Sequence, residues 1–133
     1  MPSFGSTSSA RLNTCDERLI RLFERVVETY DCSIIEGHRS RETHESYMAR
    51  GVTRVPYERT KHRHAPSLAV DVAPYPIDWN DTKRFYHFAG FVQAHAEALG
   101  IPIRWGGDWD QDYDLNDQTF NDLVHFETTE ESI

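Results

Sequence analysis

In Leu68-Ala-Val-Asp-Val-Ala73 a period of two sets Leu68, Val70 and Val72 on one side of an extended chain. Ala69, Asp71 and Ala73 fall on the other side. The first side is a core face. The second carries one carboxylate between two small side chains, which leaves space for an ion and a ligand. Far downstream, Asp122-Leu-Val-His125-Phe-Glu127 repeats the arrangement, with Val124 and Phe126 pointing one way and His125 and Glu127 the other. Two strands of this kind can meet around one ion.

Just before the first strand stand His62 and His64. Together the two segments offer two imidazoles and one carboxylate for a metal, with a second carboxylate beside it. Three protein groups holding the ion and water in the fourth position is the ligand set of a catalytic zinc site. A His and an Asp seven residues apart are common in proteins, and a strand histidine is often only hydrogen-bonded. With Asp-x-x-His added near the C-terminus, the metal reading stands level with the structural one.

Composition narrows the setting. The 133 residues suffice for one domain with a proper core, and 38% hydrophobic residues fit a soluble globular protein. No apolar run approaches the ~20 residues of a membrane span, so no membrane insertion is expected. The first ten residues lack the basic start and apolar stretch of a signal peptide, and the chain is expected to stay in the cytoplasm where it is made. A net charge of −8 disfavours nucleic acid or an anionic membrane as partner. Cys15 and Cys32 form no CxxC pattern and read as free, buried thiols.

Residues 1–13 read as a flexible arm, with the remaining domain over 14–133. Thr14-Cys-Asp-Glu17 has the form of a capping box, followed by a helical face of Leu19, Phe23, Val26, Val27 and Tyr30. Cys32 to Glu36 is a short strand ended by Gly37, and Ser40 caps a helix from Glu42 to Arg50. Arg39, between them, suits carboxylate or oxyanion binding beside a metal, although on this passage alone a surface ion pair is the plainer reading. Asp78 or Asn80 caps a helix over about 81–99, whose His87 and His95 sit at no ligand spacing. Ile103-Arg-Trp105 is a strand, and the acidic loop after it (Asp108, Asp110, Asp112, Asp114, Asp117) lacks the central Gly and final Glu of an EF-hand. It reads as a solvated loop. The tail from Thr128 is expected to fray.

Gly37-x-Arg39, His64-x6-Asp71, Gly106-Gly-Asp-Trp109 and Asp122-x-x-His125, in this order, resemble the zinc D-alanyl-D-alanine peptidases. That group includes the VanY-type carboxypeptidases and the L-alanyl-D-glutamate endopeptidases of phage endolysins. Asp71-Val-Ala-Pro-Tyr75, Ile77-Asp-Trp-Asn80 and the Gly-Asp-Trp turn look most like the endolysins. The resemblance spans roughly 14–128, with no separate wall-binding module. It implies a small single-domain α+β fold of the hedgehog and D-Ala-D-Ala peptidase type, with an antiparallel sheet bearing the zinc and helices flanking it.

The resemblance further implies Zn2+ on His64, Asp71 and His125, and Asp122 as general base. Arg39 would stabilise substrate or oxyanion, and Asp108 and Trp109 would shape the substrate cleft. His62 stands where the family usually has Ser and competes with His64, but only His64 keeps the family distance to Asp71. The implied activity is hydrolysis of the L-Ala–D-Glu bond of the peptidoglycan stem peptide by a monomer that reaches the wall through a membrane lesion. A D,D-carboxypeptidase or a non-catalytic peptidoglycan-binding module are the alternatives, and a metal-dependent nuclease sits poorly with the acidic balance.

Overall fold

The computed structural model describes residues 2–116 and 121–129. Four helices, α1 (Ser6–Leu12), α2 (Glu17–Val27), α3 (Arg41–Ala49) and α4 (Thr82–Leu99), accompany four strands, β1 (Cys32–Glu36), β2 (Ala69–Pro74), β3 (Ile103–Gly106) and β4 (Asp122–Thr128). The strands form one antiparallel sheet in the order β1-β2-β4-β3. This is the α+β fold expected from the sequence.

The apolar face of the sheet is the one that the period of two marks. Val70, Val72, Phe126 and Ile34 are buried against Leu19, Leu22, Phe23 and Val26 of α2 and Phe88 and Val92 of α4. Phe126 sits at the junction, edge-on to Phe23 at 5.4 Å and to Phe88 at 6.2 Å. α4 is capped by Asp81, one residue past Asn80 and three past Asp78, and the Asp81 side chain accepts from the Arg84 amide. It ends on Gly100, whose φ of 71° only glycine adopts without strain. His87 and His95 serve packing, the first bonded to the Tyr30 hydroxyl and the second to the Phe91 carbonyl. Cys15 and Cys32 are free and buried, and burial pushes both thiols up to about 12.

Three expectations change. Residues 6–12, placed in a flexible arm, form α1, with Leu12 in the core. α1 closes the free edge of β1: Ser8 Oγ accepts from the Ile34 amide at 3.0 Å, and Arg11 donates to the Ile34 carbonyl at 3.1 Å. An uncovered edge would otherwise invite pairing with another chain. The capping box at Thr14 does not form, because the backbone there is already engaged. The Ser67 amide donates to Thr14 O and the Asp16 amide to Ser67 O, so Asp16 becomes the N-cap of α2 and accepts from Arg18 N at 2.9 Å. Thr128, expected to fray, is buried, and its amide donates to Leu68 O at 2.9 Å. Residues 130–133 of that tail, like Asp117 of the acidic loop, lie outside the described residues.

Candidate metal centre

The polar face of the sheet carries the site. Asp71 on β2 pairs directly with His125 on β4, so both side chains rise from the same face. Ala69 and Ala73, flanking Asp71, leave the room that larger residues would fill. The third group is His62, brought in by the short turn Lys61–Arg63. Ligand atoms of His62, Asp71 and His125 lie within 4.8 Å of one another. Asp71 Oδ1 is 3.3 Å from His62 Nε2 and 3.3 Å from His125 Nδ1.

His64, expected as the first ligand, is not in this group. The family distance to Asp71 points to His64, but the chain between residues 61 and 68 does not run straight into the strand. The Leu68 amide donates to the Lys61 carbonyl at 3.1 Å, closing a loop that sets residues 61 and 62 beside the start of β2. His64 falls inside that loop, and its carbonyl meets His38 Nδ1 at 2.9 Å. The competing reading, His62, has the geometry.

Each imidazole is oriented by a partner on its far nitrogen, the arrangement that aims a metal-binding lone pair inward. His62 Nδ1 donates to the Gly37 carbonyl at 2.7 Å, which leaves Nε2 toward Asp71. Gly37 itself packs so tightly on Thr14 Oγ1 and Arg11 O that a Cβ there would collide with both. His125 Nε2 bonds Glu127 Oε1 at 2.8 Å, and Glu127 is held in turn by Arg104 at 2.8 Å and Lys61 at 3.3 Å. His62 Nε2 and Asp71 Oδ1 are both buried, with no hydrogen-bond partner. Buried polar atoms are rarely left so. A cation between them would satisfy both, so the donor set fits a divalent metal.

The charges support the same arrangement. Burial acts to raise the Asp71 carboxyl, yet the neighbouring His62 and His125 outweigh it and hold the group below the usual range. Burial opposes charge on His125 as well, but the Asp71 carboxylate beside it and its hydrogen bond to Glu127 lift it to about 9. Glu127, despite burial, is held down to about 2 by the bond to His125 and by Arg104.

Asp122 reaches the same cleft by a break in the sheet. Strict alternation would send residues 122 and 125 to opposite faces. Instead the β3–β4 register shifts between Trp105 and Gly106, so that Gly106 pairs with Asp122. A Cβ on Gly106 would overlap the Asp122 carbonyl, so this close approach requires glycine. As a result Leu123 packs on the core, while Asp122, Val124 and His125 line one cleft. The expectation that Val124 faces the core fails for this reason. The Asp122 carboxyl is raised, first by burial and then by the charge of Asp71.

A second shift, between Ile34 and Glu36, turns Glu36 onto the polar face opposite Asp71. Glu36 grips the Arg39 guanidinium, and its other oxygen accepts from Tyr47 at 3.0 Å. His44 Nδ1 meets Arg39 Nη1 at 3.1 Å, and Arg39 Nη2 lies 3.9 Å from Asp71 Oδ2. Arg39 is therefore buried and fixed in the cleft wall, against the plainer reading of a surface pair. Trp109 lines the cleft with its ring 5.3 Å from that of His125. Asp108 does not line it: its Oδ2 accepts from the Tyr113 amide at 3.0 Å and holds the following loop. Asp108, Asp110 and Asp112 do converge within 4.8 Å in that loop.

Glu36, His44, Tyr47, Lys61 and Arg104 are site residues that alternation did not identify. Arg104 and Glu127 had a readable signal, since opposite charges on adjacent strands of one sheet face tend to pair.

A family model described as phage L-alanyl-D-glutamate peptidase matches residues 2–129. The L-alanyl-D-glutamate peptidase of Escherichia phage T5 is 31% identical over 120 residues, covering 86% of this chain and 87% of that protein. Among solved structures, the Serratia marcescens L-Ala D-Glu endopeptidase ChiX superposes with a TM-score of 0.74 at 24% identity, over 96% of this chain and 90% of that one, and shares its fold. With nearly the whole chain matched, and a donor set suited to a metal at the centre of its sheet, the protein belongs to the phage L-alanyl-D-glutamate peptidase family.

Proposed function

We propose that this protein is a phage-type endolysin that uses a zinc ion to hydrolyse the L-Ala–D-Glu bond of the peptidoglycan stem peptide. The convergence of His62, Asp71 and His125 with Asp122 in one cleft, in a member of this family, carries the reading. Two imidazoles and one carboxylate suit zinc better than the hard, oxygen-seeking cations. Held by His62, Asp71 and His125, it would supply a Lewis acid and lower the pKa of a water at the open position to about 7.

The remaining steps belong to the chain. Asp122, its carboxyl raised by burial and by Asp71, is a stronger base than an ordinary carboxylate. It accepts a proton from the attacking water and passes it to the leaving amine of D-Glu. Arg39, fixed by Glu36 and His44, places a permanent positive charge beside the carbonyl oxygen as negative charge develops there. Trp109 forms an apolar wall that positions the peptide near His125. Retention of Asp122 favours catalysis over a wall-binding module without chemistry.

No helix among the described residues is long and apolar enough to cross a membrane. Access to the wall through a lesion made by another protein, and action as a monomer, complete the reading. Mass spectrometry of muropeptides digested with and without a chelator tests it. New L-Ala carboxyl and D-Glu amino ends that vanish with the chelator are expected. Loss of terminal D-Ala alone would assign a carboxypeptidase instead.

A further inference from the structure

The cleft around His62, Asp71 and His125 is lined by four carboxylates, Glu36, Asp71, Asp122 and Glu127, and by four cations, Arg39, Arg59, Lys61 and Arg104. A divalent ion there leaves the cleft two charges positive, in a chain whose net charge is −8. Three of the cations are committed: Arg39 to Glu36, and Lys61 and Arg104 to Glu127. Arg59 is exposed and, among the described residues, pairs with no carboxylate.

Its backbone is fixed relative to the metal ligand. The Arg59 amide donates to Pro56 O at 2.9 Å, and three residues on, the His62 amide donates to Thr60 Oγ1 at 3.3 Å while His62 O accepts from Arg39 N at 2.8 Å.

This inference rests on the L-Ala–D-Glu reading. In that substrate the amine of D-Glu is in the scissile bond and one of its two carboxyls continues the peptide. The other remains an anion on the residue next to the cut. We propose that Arg59 binds this unlinked D-Glu carboxylate and makes it a specificity determinant. An Arg–carboxylate contact is charge-assisted and can be bidentate, whereas a primary amide at the same place presents only one neutral acceptor oxygen.

The test uses two stem tetrapeptides that differ only in that carboxyl, one free and one a primary amide. Full-length wild type, Arg59→Ala and Arg59→Lys are compared by mass spectrometry, which reports both the rate and the bond cut. Wild type is expected to prefer the acid by on the order of 10- to 100-fold in kcat/KM. In Arg59→Ala the preference should collapse toward one, chiefly through KM for the acid, and Arg59→Lys should restore part of it. A structural role would lower both substrates alike. A preference unchanged in Arg59→Ala, or no preference in wild type, overturns the assignment. Cleavage at another bond overturns the parent reading, and this inference with it.

Discussion

On one face of the sheet Val70, Val72 and Phe126 vanish into a shell of α2 and α4 side chains. On the other, one residue away along the same strands, Asp71, His125 and Glu127 line a cleft. The apolar face is held by area removed from water, which is non-directional and indifferent to pH. The polar face is held by charges that satisfy one another imperfectly, with His62 Nε2 and Asp71 Oδ1 left without hydrogen-bond partners. The first face gives the protein its stability. The second leaves two buried polar atoms unsatisfied where a cation would fit.

That division can be tested from both sides. Asp122→Asn should keep the metal and the fold and lower kcat by roughly 10²- to 10⁴-fold, since it removes the base and little volume. Steady-state kinetics alongside metal content measure this, and full turnover would remove Asp122 from its role. Phe126→Ala, across the same strand, should lose about 3–5 kcal/mol in chemical denaturation through the cavity between Phe23 and Phe88. That loss should be the same with and without chelator; a metal-dependent loss would mean that the two faces are not separable.

The smallest effect sharpens the contrast. In metal-free protein, His125 is raised from 6.5 to about 9, so its contribution to stability is full below pH 6.5 and is lost as pH rises through 9. Glu127 is lowered from 4.5 to about 2, so its contribution is full above pH 4.5 and is lost as pH falls toward 2. Thermal melts in chelator should plateau between about pH 4.5 and 6.5 and fall on both sides by on the order of 5 °C. Metal keeps His125 unprotonated, so loading should remove the alkaline decline. A flat profile in chelator would contradict the charge assignment.

Much of this was legible from the period of two. It placed β2, its core face, and Asp71 with His125 on the opposite face. The helical faces of α2 and α4, and the Gly100 stop of α4, were legible for similar reasons. What alternation could not reveal lies where the sheet breaks step. The shift at Gly106 carries Asp122 back to the side of His125, and the shift after Ile34 carries Glu36 to Asp71. Family resemblance supplied Asp122 as an expectation, but its route into the site is a matter of register. His62 was obscured by counting along the chain, because the bond from Leu68 to Lys61 shortens the path in space without changing the count. α1 was unreadable because its Ser-rich sequence has only Leu12 to bury and is held by contacts to the edge of β1.

His62, and not the neighbouring His64, converges with Asp71 and His125, so it is the histidine that would complete an ion's ligand set. The direct measurement is zinc content and affinity of His62→Ala and His64→Ala, each compared with wild type after identical metal loading. His62→Ala should lose stoichiometric zinc and with it wall hydrolysis, while His64→Ala should retain both. A His64→Ala protein stripped of zinc, beside a His62→Ala protein that holds it, would contradict the account.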